Sequence, residues 1–168
     1  MKDPFQSVFD PRQYMVSNDF EIFYYSDLQF HSVQPHTHAF YEFYFFVEGD
    51  VEMELGDGVF PLKRGDVILV PPGLTHRAVI RDGSVQYRRF VLWIGESFFE
   101  ALPGACRYVR GRPGHEENPV MSFSAAEFNT LENRLFTMLD ELHTARYGRE
   151  EKLKLSLSDL LLQLSRLL

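Results

Sequence analysis

The sequence predicts a mainly β domain, a barrel or sandwich of short strands, followed by two amphipathic C-terminal helices. Two observations predict this architecture. Between residues 20 and 94, runs of aromatic and β-branched residues alternate with Gly, Pro and Asp turns at roughly the 8- to 12-residue spacing of sandwiches and barrels. From Ser124 onward the apolar period changes to steps of three and four, the signature of helices. A third observation makes a core feasible: 45% of the 168 residues are apolar and 15% are aromatic.

Residues 1–18 mix Pro4, Pro11, Asp3 and Asp10 with Phe5, Phe9 and Tyr14, and read as an arm. The barrel is expected over residues 19–102. Residues 20–33 read as strands broken near Ser26-Asp27. Residues 38–47 form a strand apolar on both faces, so one face meets a sealed interior and the other a second layer. Val51-Glu52-Met53-Glu54-Leu55 alternates strictly, Gly56-Asp57-Gly58 is a hairpin turn, and Pro61 marks an edge strand or bulge. Val67–Val70, His76–Ile80 and Tyr87–Ile94 complete the strands, and Glu96–Leu102 forms a short helix stopped by Pro103-Gly104. Residues 103–123 are a connecting loop with one short strand at Tyr108-Val109. Residues 124–168 hold two helices. The first opens on the capping box Ser124-Ala125-Ala126-Glu127, and Gly148 ends it. The leucine stripe of the second runs to Leu167-Leu168 without a stop signal, which suggests that further chain follows.

Net charge is −7 and no Lys/Arg run stands out, so direct nucleic-acid contact by this chain is not expected. Cys106 is the single cysteine, which excludes an internal disulfide and fits a reducing compartment. No apolar run approaches a membrane span and the N-terminus has no signal region, so the expected location is the cytoplasm.

The chemistry concentrates in residues 36–76. Strand alternation puts His36, His38, Phe40, Glu42, Tyr44 and Phe46 on one face, and Gln34 shares their parity at the pocket mouth. His76 begins another strand. If the two strands lie side by side, three imidazoles and one carboxylate converge, a set suited to Zn, Ni, Mn or Fe with positions left for water or substrate. The same groups can instead form a metal-free pocket that hydrogen-bonds ligand hydroxyls.

His36-x-His38-x3-Glu42-x6-Gly49 and Gly65-x5-Pro71-x-Gly73-x2-His76, with 15 residues between Gly49 and Gly65, resemble the two cupin motifs. The resemblance implies a cupin double-stranded β-barrel (jelly roll). Phe30 stands where the first motif opens on glycine, and Ile80 where the second closes on asparagine. His38-Ala39-Phe40-Tyr41-Glu42, residues 65–73 and Tyr87-Arg88-Arg89-Phe90-Val91-Leu92-Trp93 are similar to the N-terminal domain of AraC-type transcription regulators. That resemblance implies a ligand-sensing and dimerisation domain with a small-molecule effector, often a sugar. It also implies a DNA-binding domain beyond residue 168. It places Arg88 and Phe90 on the pocket wall and lets Phe9 and Tyr14 of the arm close over the ligand. Two amphipathic helices outside a closed barrel bury more apolar surface in a homodimer, the expected partner being a second copy. The rival reading is a metal-dependent cupin enzyme, a dioxygenase or isomerase, using His36, His38, Glu42 and His76. No catalysis is implied by the sensor reading.

Overall fold

A computed structural model describes residues 3–168 of the chain; Met1 and Lys2, at the tip of the expected arm, lie outside the described residues. Eight strands follow in order: β1 (Phe20–Asp27), β2 (Phe40–Glu48), β3 (Asp50–Leu55), β4 (Gly58–Pro61), β5 (Asp66–Val70), β6 (His76–Asp82), β7 (Tyr87–Gly95) and, after an excursion, β8 (Val120–Ser122). The helices are α1 (Glu96–Ala101), a 3-10 helix (Gly104–Gly111), α2 (Ala125–Leu142) and α3 (Arg149–Leu167). One sheet has the order β1-β7-β2-β5-β8 and the other β4-β3-β6. All pairings are antiparallel. This is the double-stranded β-barrel with two C-terminal helices that the sequence predicts.

The five-stranded sheet separates two apolar layers, because β2 and β7 are buried on both faces. Tyr44, Phe46, Ile68, Val91 and Trp93 face Val51, Met53 and Leu55 of the other sheet and form the barrel interior. Phe43, Phe45, Phe90 and Leu92 point the opposite way, onto α2 and α3. Each such fully buried side chain contributes about 1.5–3 kcal/mol of transfer free energy. The leucine stripes of both helices are spent in this outer layer: Leu131, Leu135, Leu157, Leu160 and Leu164 are all fully buried. Ser124 and Glu127 exchange the reciprocal hydrogen bonds of a capping box at the start of α2.

Three local expectations are corrected. Residues 28–33 form no strand, because Gln29 adopts a left-handed backbone (φ 56) and breaks the pairing. Tyr108 and Val109 lie in the 3-10 helix rather than a strand. Cys106 and Val109, three apart, are its buried residues, a spacing that eclipses on a 3-10 helix and not on a pleat. The short strand of that segment is β8 instead, completing the five-stranded sheet beside β5.

Candidate functional site

The barrel interior is not completely filled. Between the inner faces of the two sheets lies a cavity of about 370 Å³, roofed by residues 9–13 of the N-terminal arm. Its size is at the lower end of the range of small-molecule pockets.

Glu42 and His76 line it, and with His38 they form a buried group whose ligand atoms lie within 4.8 Å of one another. Glu42 is placed by the pairing of β2 with both neighbours, opposite Val70 on β5 and Trp93 on β7. His76 is placed by the start of β6, and Gly73 N–H donating to the His38 carbonyl (2.9 Å) ties the two motifs together. Each imidazole is oriented from behind. His38 Nδ1 meets the Phe40 carbonyl and His76 Nδ1 the Leu74 carbonyl, both at 2.9 Å. A carbonyl only accepts, so each Nδ1 carries a proton and each Nε2 is turned toward Glu42. Both Nε2 atoms are buried without a hydrogen-bond partner. They lie 3.4 and 3.8 Å from the two Glu42 oxygens. Burial pushes the Glu42 carboxyl up, but His38, His76 and the Trp93 N–H (2.7 Å) favour the anion by more, so its net displacement is downward. Burial also pushes the His76 imidazole below its usual value, toward the neutral form that ligates. Two unpartnered Nε2 atoms and a carboxylate, with backbone-anchored rings, fit a divalent cation.

His36 does not join this group. It pairs with His76 through its backbone as an isolated bridge, and its Nδ1 meets the Gln34 carbonyl (3.0 Å). The reason is local: β2 begins only at Phe40, so its alternation does not extend back through residues 36–39. The His36 ring stands 4.4 Å from that of His76, on the cavity wall, with Gln34 at the rim. Phe40 is not on the wall; its ring stacks on the back of His38 at 4.0 Å.

The expected Arg88/Phe90 wall is corrected by the sheet register. Tyr44 pairs with Val91 and Glu42 with Trp93, so the inward residues of β7 are Tyr87, Arg89, Val91 and Trp93. Phe90 is fully buried on the opposite face against Tyr24 and Phe136, and Arg88 pairs with Glu48 at the surface. Both faces of this strand are apolar and both carry an arginine, so composition alone could not choose between them. Tyr44 and Tyr87 join hydroxyls across the cavity, and burial pushes both phenols up, keeping them protonated. Of the arm, Phe9 packs edge-on against Tyr25 and Phe30, whereas Tyr14 is 66% exposed and takes no part in the lining. Arg12 crosses the mouth with its guanidinium 5.0 Å from the Trp93 ring, hydrogen-bonded to Glu21.

The model of the AraC-like ligand-binding domain matches residues 21–165, nearly the whole chain. The chain belongs to the AraC-like ligand-binding domain family. It is also similar to solved structures. A cupin 2 conserved barrel domain protein from Salinispora arenicola is 24% identical, with a TM-score of 0.42, over 52% of this chain and 74% of that one. An RmlC-like cupin from Methanocaldococcus jannaschii is 13% identical (TM-score 0.43; 56% and 93%). The DMSP lyase DddQ from Ruegeria pomeroyi is 25% identical (TM-score 0.42; 48% and 40%). No curated protein matches the chain. Among the described residues no helix is long and apolar enough to cross a membrane.

Proposed function

We propose that this domain senses a small organic effector in the barrel cavity, on behalf of an attached DNA-binding domain in a cytoplasmic transcription regulator. The observation that carries the reading is that the cavity has two kinds of wall. Its sides belong to the rigid sheets, and its roof, residues 9–13, belongs to the arm. An effector there touches both, so its binding free energy depends on where the arm sits. Tyr25, Phe30, Met53, Ala78 and Val91 bring apolar surface to the lining beside its polar groups, which favours an amphipathic effector over a sugar with hydroxyls all round. Trp93, the single tryptophan, is in the cavity wall and reports occupancy directly. Titration of the chain with small-molecule panels should give a saturable change in its emission. A panel hit that binds yet leaves Trp93 emission unchanged would place the effector site elsewhere.

A divalent metal (Zn, Ni, Mn or Fe) at His38, Glu42 and His76 is part of the proposal, supported by the two inward-facing, unpartnered Nε2 atoms. Such an ion would offer a Lewis-acidic anchor for an effector oxygen. Elemental analysis of the purified chain is expected to find about one equivalent, lost in H38A; an equal metal content in H38A would remove the assignment.

Homodimerisation through the C-terminal helices is the remaining part. With most of the stripe buried within the chain, the surface left for a partner centres on Leu155, 69% exposed. Sedimentation of L155E against the parent tests it, the expected result being a shift toward monomer.

A further inference from the structure

We propose that the effector is a small monocarboxylate with an apolar body, held by Arg89. The inference rests on the reading of the cavity as an effector site and narrows its chemistry. Arg89 is 2% exposed, and its guanidinium lies 4.0 Å from the Tyr87 ring centroid, 4.6 Å from that of Tyr25 and 4.8 Å from that of Phe30, with Phe9 of the arm at 5.8 Å. These aromatic faces favour the cation and remove it from water.

The hydrogen bonds that the chain provides leave from one nitrogen. Asp27 and the Tyr87 carbonyl both accept from Nη1. Nε and Nη2 donate to nothing among the described residues, although Arg89 is part of the cavity wall. Nε and Nη2 form one edge of the guanidinium, the edge that takes a carboxylate through two parallel hydrogen bonds. A donor pair that the chain leaves unmade at a cavity wall favours a ligand that completes it.

The rest of the lining sets the charge and the body. Arg12 is the other cation of the wall, and Asp10 and Glu21 already hold it. Among the described residues the one free guanidinium edge of the wall is therefore that of Arg89, which matches the two oxygens of a single carboxylate. Met53, Ala78 and Val91 give the cavity apolar lining beside the joined Tyr44 and Tyr87 hydroxyls.

The test uses the full chain and Trp93 emission, with benzoate, phenylacetate and octanoate as probes beside their neutral amides and the monosaccharides glucose and galactose. At least one carboxylate should bind 10-fold or more tighter than its own amide, about the margin expected of a charge-assisted hydrogen-bond pair. That margin should vanish in R89M and shrink in R89K, which keeps the charge and loses the fork. The carboxylate–amide comparison needs no variant, so it stands even if R89M fails to fold. An amide or a monosaccharide binding as tightly as the carboxylates would overturn this inference and leave the effector-site reading intact. No response from any of the three series would overturn both.

Discussion

Truncating Arg12 to alanine should loosen the arm without unfolding the barrel. Arg12 Nη2 donates to Glu21 at 2.6 Å and Nη1 to the Tyr14 carbonyl at 2.6 Å. Its guanidinium also lies over Trp93 at 5.0 Å. The Glu21 carboxylate is the hub of the latch, since it also accepts from the Val16 amide at 2.7 Å. Both side chains of the ion pair are largely buried, 13% and 14% exposed, so solvent screening is incomplete. A charged hydrogen-bond set of this kind contributes about 1.5–3 kcal/mol and the cation–π contact about 0.5–1 kcal/mol. Rehydration of the freed groups returns part of that, leaving about 2 kcal/mol, or roughly a 30-fold rise in the open-arm population. Native-state hydrogen exchange at the Val16 amide and acrylamide quenching of Trp93, 7% exposed when covered, both read this opening. The urea midpoint of the barrel should move little. Unchanged exchange at Val16 and unchanged Trp93 quenching would refute the latch. An equal loss of protection across β2 and β7 would show that Arg12 supports the whole fold instead.

Three further outcomes are expected. F90A should cost about 3–5 kcal/mol in urea denaturation while leaving effector affinity within experimental error, because Phe90 packs under α2 and outside the cavity; a large affinity loss at unchanged fold would reinstate it as a wall residue. G65A should destabilise by about 1–3 kcal/mol, since Gly65 has φ +94 and a Cβ there would meet the Phe123 carbonyl oxygen at 2.6 Å; a neutral thermal shift would contradict that geometry. S124A should cost about 1 kcal/mol through the lost cap of α2, read by the same denaturation, and no change at all would count against the capping box.

The sequence by itself determined the barrel, the two C-terminal helices and the two motifs that carry His38, Glu42 and His76, because these depend on local signals, whereas the meeting of the two motifs is made by the packing of one sheet on the other. Turn glycines, alternation along β3 and the capping box at Ser124 each act within a few residues, and both histidine motifs carry their own spacing. It did not determine which face of β7 looks inward. Arg88-Arg89-Phe90-Val91-Leu92-Trp93 is apolar and basic on both parities, and only the pairing of Val91 with Tyr44 and of Trp93 with Glu42 decides that Arg89 and Trp93 enter the cavity. Nor could alternation show that the pleat fails before Phe40, which keeps His36 on the wall and out of the cluster. The fate of the leucine stripes was likewise a tertiary matter. Amphipathicity says that a face must be covered, and packing under the five-stranded sheet supplied the cover from within the chain. Side-chain period is a property of one strand, whereas facing direction and the coverage of a helix belong to the assembly of elements.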